Sequence, residues 1–226
     1  MNDTAALLDC IERETGPTPA WAVIWLHGLG ADGHDFVPLV PELIRPGWPA
    51  IRFLFPHAPV RAVTINNGTR MRAWYDIVGM DFATRADAAG IEESVAQVEA
   101  LVAREVERGT PASRIVLAGF SQGGAIALAT GLRRQVPLAG LVALSTYLPG
   151  GLAVAAQRHP NAVAQPVFFA HGDGDPVIAV QHGLASAQAL EQVGFDVAWH
   201  RYPMAHQVCA QEIGDLGHWL ERRLAG

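Results

Sequence analysis

Six short apolar runs rich in branched residues recur along this chain, and their spacing limits the folds open to it. They lie at 21–26 (WAVIWL), 50–55 (AIRFLF), 114–118 (RIVLA), 138–145 (LAGLVALS), 166–170 (PVFFA) and 195–202 (FDVAWHRY). Continuous apolar runs of this length fit strands buried on both faces. Between them lie segments of helical period at 85–108, 121–134, 176–193 and 207–224. In 85–108 the residues Ile91, Val95, Val98, Val102 and Val106 fall on one stripe, with Glu and Arg opposite. Strands alternating with helices predict an α/β fold, a mostly parallel central sheet covered on both faces. With 226 residues, half of them hydrophobic, the chain suits one domain spanning 1–226. In such sheets ligands sit beyond the carboxyl ends of the strands, so function is sought in the loops leaving each strand.

Several classes of function drop out on composition. The formal charge is −6 and the charges are dispersed, so no basic cluster offers itself to nucleic acid or an anionic membrane. The uncharged runs 115–132 and 135–157 are broken by Ser-Gln-Gly-Gly and by Pro137, Gly140, Pro149, Gly150 and Gly151, so no stable membrane insertion is expected. The N-terminal MNDTAALLDCIERET has acids where a secretory signal has bases, and Cys10 and Cys209 are the only cysteines; a cytoplasmic setting is expected. All sixteen bases are arginine. Without lysine there is no Walker-type phosphate loop, no Schiff-base or pyridoxal phosphate site, and no Ser-x-x-Lys hydrolase.

Three strand ends carry chemistry. In RIVLAGFSQGGAIALAT, Gly119-x-Ser121-x-Gly123 follows a strand and opens an apolar helix, the setting of a nucleophile elbow. A plain glycine-rich turn with a capping serine has the same pattern. In PVFFAHGDGDPVI, Asp173 and Asp175 compete as the carboxylate that would orient a histidine. Asp175, pinned by Pro176, is favoured, and Asp173 is expected to cap the turn. A calcium loop is excluded because its further oxygen ligands and terminal glutamate are missing. In VAWHRYPMAHQVCAQEI, His206 lies in a short loop after a strand, His200 lies inside the strand, and His218 lies well into the last helix. His206 completes the order Ser, Asp, His used by hydrolases of this architecture.

The stretch AVIWLHGLGADGHDF contains Gly28-x-Gly30-x-x-Gly33, the spacing of a dinucleotide-binding loop. Such a loop is followed about twenty residues later by an acid that holds a ribose hydroxyl. No Asp or Glu occurs from Leu43 to Tyr75, although Arg45, Arg52 and Arg61 could serve a phosphorylated ribose. His27-Gly28-Leu29-Gly30 after a strand also suits an oxyanion loop, in which the N–H groups of Leu29 and Gln122 would grip a tetrahedral oxyanion. The chain is read as carrying the second.

Together WLHGLGADGHDF, PHAPVRAVTINNG, RAWYDI, GFSQGGAIAL, ALSTYLP, HGDGDPVI and YPMAHQVC resemble the phospholipase/carboxylesterase family of α/β-hydrolases, which includes bacterial carboxylesterases and acyl-protein thioesterases. The resemblance runs over roughly residues 20 to 220. It implies the α/β-hydrolase fold, a triad of Ser121, Asp175 and His206, oxyanion donors at Leu29 and Gln122, and no cofactor or metal. By the same resemblance, segment 60–82 should act as a lid or binding loop. It should form an apolar acyl wall from Ile65, Met71 and Trp74, with Tyr147 and Val177 alongside. Tyr147 and Gln207 stand where palmitate-removing thioesterases tend to carry Trp and Ser, and RAWYDI looks more like the bacterial esterase branch. The expected activity is hydrolysis of short- to medium-chain carboxylic esters, or of lipid-like esters and thioesters, with a homodimer as the expected assembly.

Overall fold

The computed structural model describes residues 7–79 and 86–225. In chain order the elements are β1 (Cys10–Glu14), β2 (Trp21–Leu26), α1 (Val40–Leu43), β3 (Ile51–Pro56), β4 (Val60–Val63), β5 (Thr69–Arg72) and α2 (Ala88–Glu107). There follow β6 (Ile115–Phe120), α3 (Gln122–Arg133), β7 (Gly140–Leu144), α4 (Gly151–Ala155), β8 (Val167–Gly172), α5 (Val180–Gln192), β9 (Val197–Tyr202) and α6 (Ala210–Leu224). The main sheet has the order β1-β3-β2-β6-β7-β8-β9. Every neighbouring pair in it is parallel except β1 with β3.

The inner parallel strands β2, β6 and β7 are almost wholly buried because both of their faces are covered, whereas the edge strand β9 (VAWHRY) is only partly buried. In β2, Ala22, Ile24 and Leu26 face the layer holding α2, α3 and α5, while Trp21, Val23 and Trp25 face the layer of α1 and α6. This is the period-two alternation of a strand, with hydrophobic partners on each side. Burying each such side chain contributes about 1.5–3 kcal/mol. The helix α2 keeps Ile91, Val95, Val98 and Val102 inward, but Val106 is 45 % exposed. At that last turn the inward position belongs to Glu105, fully buried. Its carboxylate meets Arg52 Nη1 at 2.9 Å and Arg108 Nη1 at 3.0 Å. Arg52 also reaches Glu14 at 2.8 Å, so the network ties α2 to β1 and β3.

Two further features depart from the sequence reading. Residues 60–72 form a two-stranded hairpin, β4 with β5, in register Val60↔Arg72. It turns at Asn67 and Gly68, both at positive φ (54° and 73°), the left-handed pair that favours a tight Asn-Gly hairpin. The remainder of the expected lid differs in kind: Ala73, Trp74 and Tyr75 are wholly buried, and residues 80–82 lie outside the described residues. Helix α5 begins at Val180, not at Pro176. The reason is that Asp175 Oδ1 accepts the N–H groups of Val177 and Ile178 (2.8 and 2.9 Å), which holds 175–178 in a turn.

Candidate active site

The strand β6 is the fourth of seven, and the turn after it carries Ser121 at the head of α3. Ser121 has φ 54° and ψ −120°, a strained conformation for a non-glycine residue. The surroundings hold it there. Its N–H donates to Leu144 O (2.8 Å), and its carbonyl accepts the Thr146 hydroxyl (2.6 Å). A Cβ on Gly119 would lie 2.3 Å from Gly123 C, and one on Gly123 would lie 2.4 Å from Leu26 O. Both glycines are required because backbone passes where their side chains would be.

The acid and the base come from the ends of β8 and β9. Asp175 Oδ2 lies 2.6 Å from His206 Nδ1, and His206 Nε2 lies 2.9 Å from Ser121 Oγ. Asp175 is buried, and its other oxygen is engaged by the two amides described above. The His206 ring packs on Phe120, centroids 4.9 Å apart. Asp173 faces away and accepts from Arg201 Nε at 2.6 Å in solvent. His200 stacks on Phe168 within β9, and His218 is exposed on α6.

Two buried histidines frame the site. His27 Nε2 accepts the Ala58 N–H (3.1 Å), so its Nδ1–H donates to Gly28 O (2.7 Å). His171 Nε2 donates to Ile178 O (2.8 Å) and lies 3.4 Å from Asp175 Oδ2. Burial pushes the pKa of both below the ordinary histidine value, so both stay neutral.

A cavity of about 320 Å³ opens over Ser121. Leu29, Gln122, Tyr147 and Val177 border it, together with Asp35, Tyr75, Ile77, Phe120 and Ile178. Ile65, Met71 and Trp74 do not. Ile65 and Met71 pack partly buried against the core. Trp74 is wholly buried: its Nε1 donates to His27 O (2.9 Å), and its backbone N–H donates to Gln122 Oε1 (2.8 Å). Gln122 Nε2 in turn donates to Tyr75 O (2.7 Å). Trp74 therefore fastens the loop after β2 and the 73–75 segment to the elbow and is not among the residues bordering the cavity. Tyr75 and Ile77 escaped the sequence reading because nothing in RAWYDI marks which side chain turns toward the serine.

Gln122 begins α3, so its N–H has no intrahelical partner. Among the described residues no backbone carbonyl accepts the N–H of Leu29 or Gln122. The glycine loop leads into a single helical turn, α1, instead of a long helix whose start could hold a pyrophosphate. Arg45, Arg52 and Arg61 are committed to Gly214 O, to Glu14 with Glu105, and to Glu93. The dinucleotide alternative has no support left. Asp32, His34 and His57 bring potential metal-ligating atoms within 4.8 Å of one another beside this loop. Two of the three also tie the loop together: Gly33 N–H donates to His57 Nδ1 (3.1 Å), and His34 N–H donates to Asp32 Oδ1 (2.8 Å).

A doubly covered parallel sheet with Ser, Asp and His assembled at its strand ends in that order defines an α/β-hydrolase. The sequence model of the Phospholipase/Carboxylesterase family matches residues 11–224, and the chain belongs to that family. An acyl-protein thioesterase 1 from Mycosarcoma maydis is 38% identical over 230 residues, covering 94% of this chain and 95% of its own. The crystal structure of Arabidopsis thaliana SOBER1 has a TM-score of 0.84 at 30% identity, covering 90% of this chain and 99% of its own. That of Zea mays acyl-protein thioesterase 2 has a TM-score of 0.79 at 28% identity, covering 95% and 99%.

Proposed function

We propose that this chain is a serine hydrolase that cleaves carboxylic esters and acyl thioesters by way of an acyl-enzyme on Ser121. The observation that carries the reading is the relay from Asp175 Oδ2 to His206 Nδ1 (2.6 Å) and from His206 Nε2 to Ser121 Oγ (2.9 Å) at the cavity floor. With Nδ1–H donated to the carboxylate, Nε2 carries the lone pair and takes the Oγ proton as Ser121 attacks the carbonyl carbon. The N–H groups of Leu29 and Gln122 receive the oxyanion. His206 then protonates the departing oxygen or sulfur, and a water, deprotonated by the same nitrogen, releases the acid. Acylated protein cysteines are a second substrate class, favoured by relatives named as acyl-protein thioesterases at 38% identity. Lysophospholipids and other lipid-like esters fit the family's name. Among the described residues no helix is long and apolar enough to cross a membrane.

The test is hydrolysis of p-nitrophenyl esters of graded chain length, and of an acyl thioester, by the wild type and by Ser121→Ala. The variant is expected to lose on the order of 10⁶-fold in turnover. Retention of activity by the variant would remove Ser121 from the mechanism. The ratio of ester to thioester turnover in the wild type decides between the two substrate classes.

A further inference from the structure

The cavity over Ser121 carries one charged group beside the relay. That group is Asp35, which borders the cavity at its exposed edge. Its backbone N–H closes a turn onto Asp32 O (3.1 Å), which fixes its place in the loop after Leu29. Among the described residues its carboxylate makes no hydrogen bond and no ion pair, although the chain has sixteen arginines. The other residues bordering the cavity are neutral, and the deeper ones are apolar or aromatic: Ile178 and Tyr75 are essentially unexposed, and Ile77 is 6 % exposed. The acyl portion of a substrate suits that deep apolar wall. With the acyl portion there, a departing portion would lie toward the exposed edge, where Asp35 is.

We infer that the leaving-group side of this cavity recognises a cation, so that esters and thioesters with a positively charged group in the alcohol or thiol portion are preferred. The inference rests on the hydrolase reading above and adds the charge of the substrate to it. A carboxylate without a partner of its own is free to meet a cation brought by a ligand. Burial and the like charge of Asp32 both push the Asp35 pKa upward, and an incoming cation would oppose that shift. Because the carboxylate is at an exposed edge, the interaction belongs with exposed ion pairs, a preference of at most about fivefold.

The experiment compares butyrylcholine with its uncharged isostere 3,3-dimethylbutyl butyrate, whose acyl group and shape are the same. The wild type is expected to show the higher kcat/KM on butyrylcholine at low salt, with the ratio falling as ionic strength rises. Asp35→Asn should bring the ratio close to one. An unchanged ratio in Asp35→Asn, or a ratio of one in the wild type, overturns the inference and leaves the hydrolase reading standing. A preference that appears only when the cation is moved to the acyl portion overturns the leaving-group assignment. Failure of the wild type on both esters and on p-nitrophenyl butyrate overturns the hydrolase reading and this inference with it.

Discussion

Replacing Asp175 by Asn tests the relay with the least change of shape. Three hydrogen bonds converge on the carboxylate: Oδ1 accepts from Val177 N and Ile178 N, and Oδ2 accepts from His206 Nδ1. An amide has one acceptor oxygen and one donor group. If the oxygen turns to His206, the NH₂ confronts two buried N–H groups at about 1–3 kcal/mol for each one left unsatisfied. The oxygen therefore stays on the two amides, and the NH₂ faces His206 Nδ1. The imidazole must then accept at Nδ1 and carry its proton on Nε2, pointed at Ser121 Oγ, where it can no longer act as a base. This wrong tautomer is expected to lower kcat by about 10⁴-fold, a barrier increase of about 5 kcal/mol. Thermal stability should change little, because the turn keeps both of its amide bonds. The assay is kcat on p-nitrophenyl butyrate beside a melting curve, with Asp173→Asn as the control. Asp173 pairs with Arg201 on the surface, both about half exposed, so its variant should keep near-normal turnover. A folded Asp175→Asn protein within tenfold of the wild type would refute the argument, as would a collapse of activity in Asp173→Asn instead.

Three other substitutions probe the frame. Glu212 is wholly buried at the start of α6, and neither of its oxygens meets a hydrogen-bond partner among the described residues. Burial pushes its pKa from 4.5 up to about 8. Between those values the folded state keeps a proton that the unfolded chain has lost, so this group subtracts stability as pH rises from 4.5 to 8 and changes nothing outside that window. Glu212→Gln should match the wild type in urea unfolding at pH 4.5 and exceed it at pH 8, the gap growing by about 1 kcal/mol per unit; a constant gap would contradict the buried acid. Glu105→Ala removes one of the two carboxylates on Arg52, which keeps Glu14, and should cost about 1–3 kcal/mol in urea denaturation, with kcat of the folded fraction unchanged. Gly123→Ala drives a Cβ into Leu26 O and His27 O at 2.4 and 2.6 Å, so soluble yield and activity should fall together; a soluble, fully active variant would show that the elbow can relax.

What the sequence made readable follows from burial. The six apolar runs match six strands, from β2 to β9, because strands covered on both faces read as unbroken hydrophobic stretches. The strand β1 (CIERE) escaped notice because it lies at the sheet edge, and its Glu12 and Glu14 are spent on arginines of other elements. The hairpin β4–β5 is polar along VRAV and TRMR, so only Asn67-Gly68 announced it. In the site, Ser121, Asp175 and His206 could be named because each ends a recognisable strand. The places of Trp74 and Tyr75 depend on contacts 47 or 48 residues apart in sequence, Trp74 with His27 and with Gln122 and Tyr75 with Gln122, and these leave no local pattern. Glu105 and Glu212 sit at helical positions that alternation alone assigns to solvent or leaves ambiguous.

The three members of the relay hang from strands of unequal security. The strand β6 lies mid-sheet and is buried almost throughout, whereas β9 closes the sheet and is only partly covered, with Arg201 in solvent. His206 follows that edge strand, so an edge element positions the histidine of the relay. Edge elements open by local unfolding more readily than central ones do, and their amides exchange with deuterium sooner. Under mild denaturant the hydrolase would therefore fall silent while most of its sheet remains folded, and turnover would report the docking of the last strand ahead of the melting of the whole.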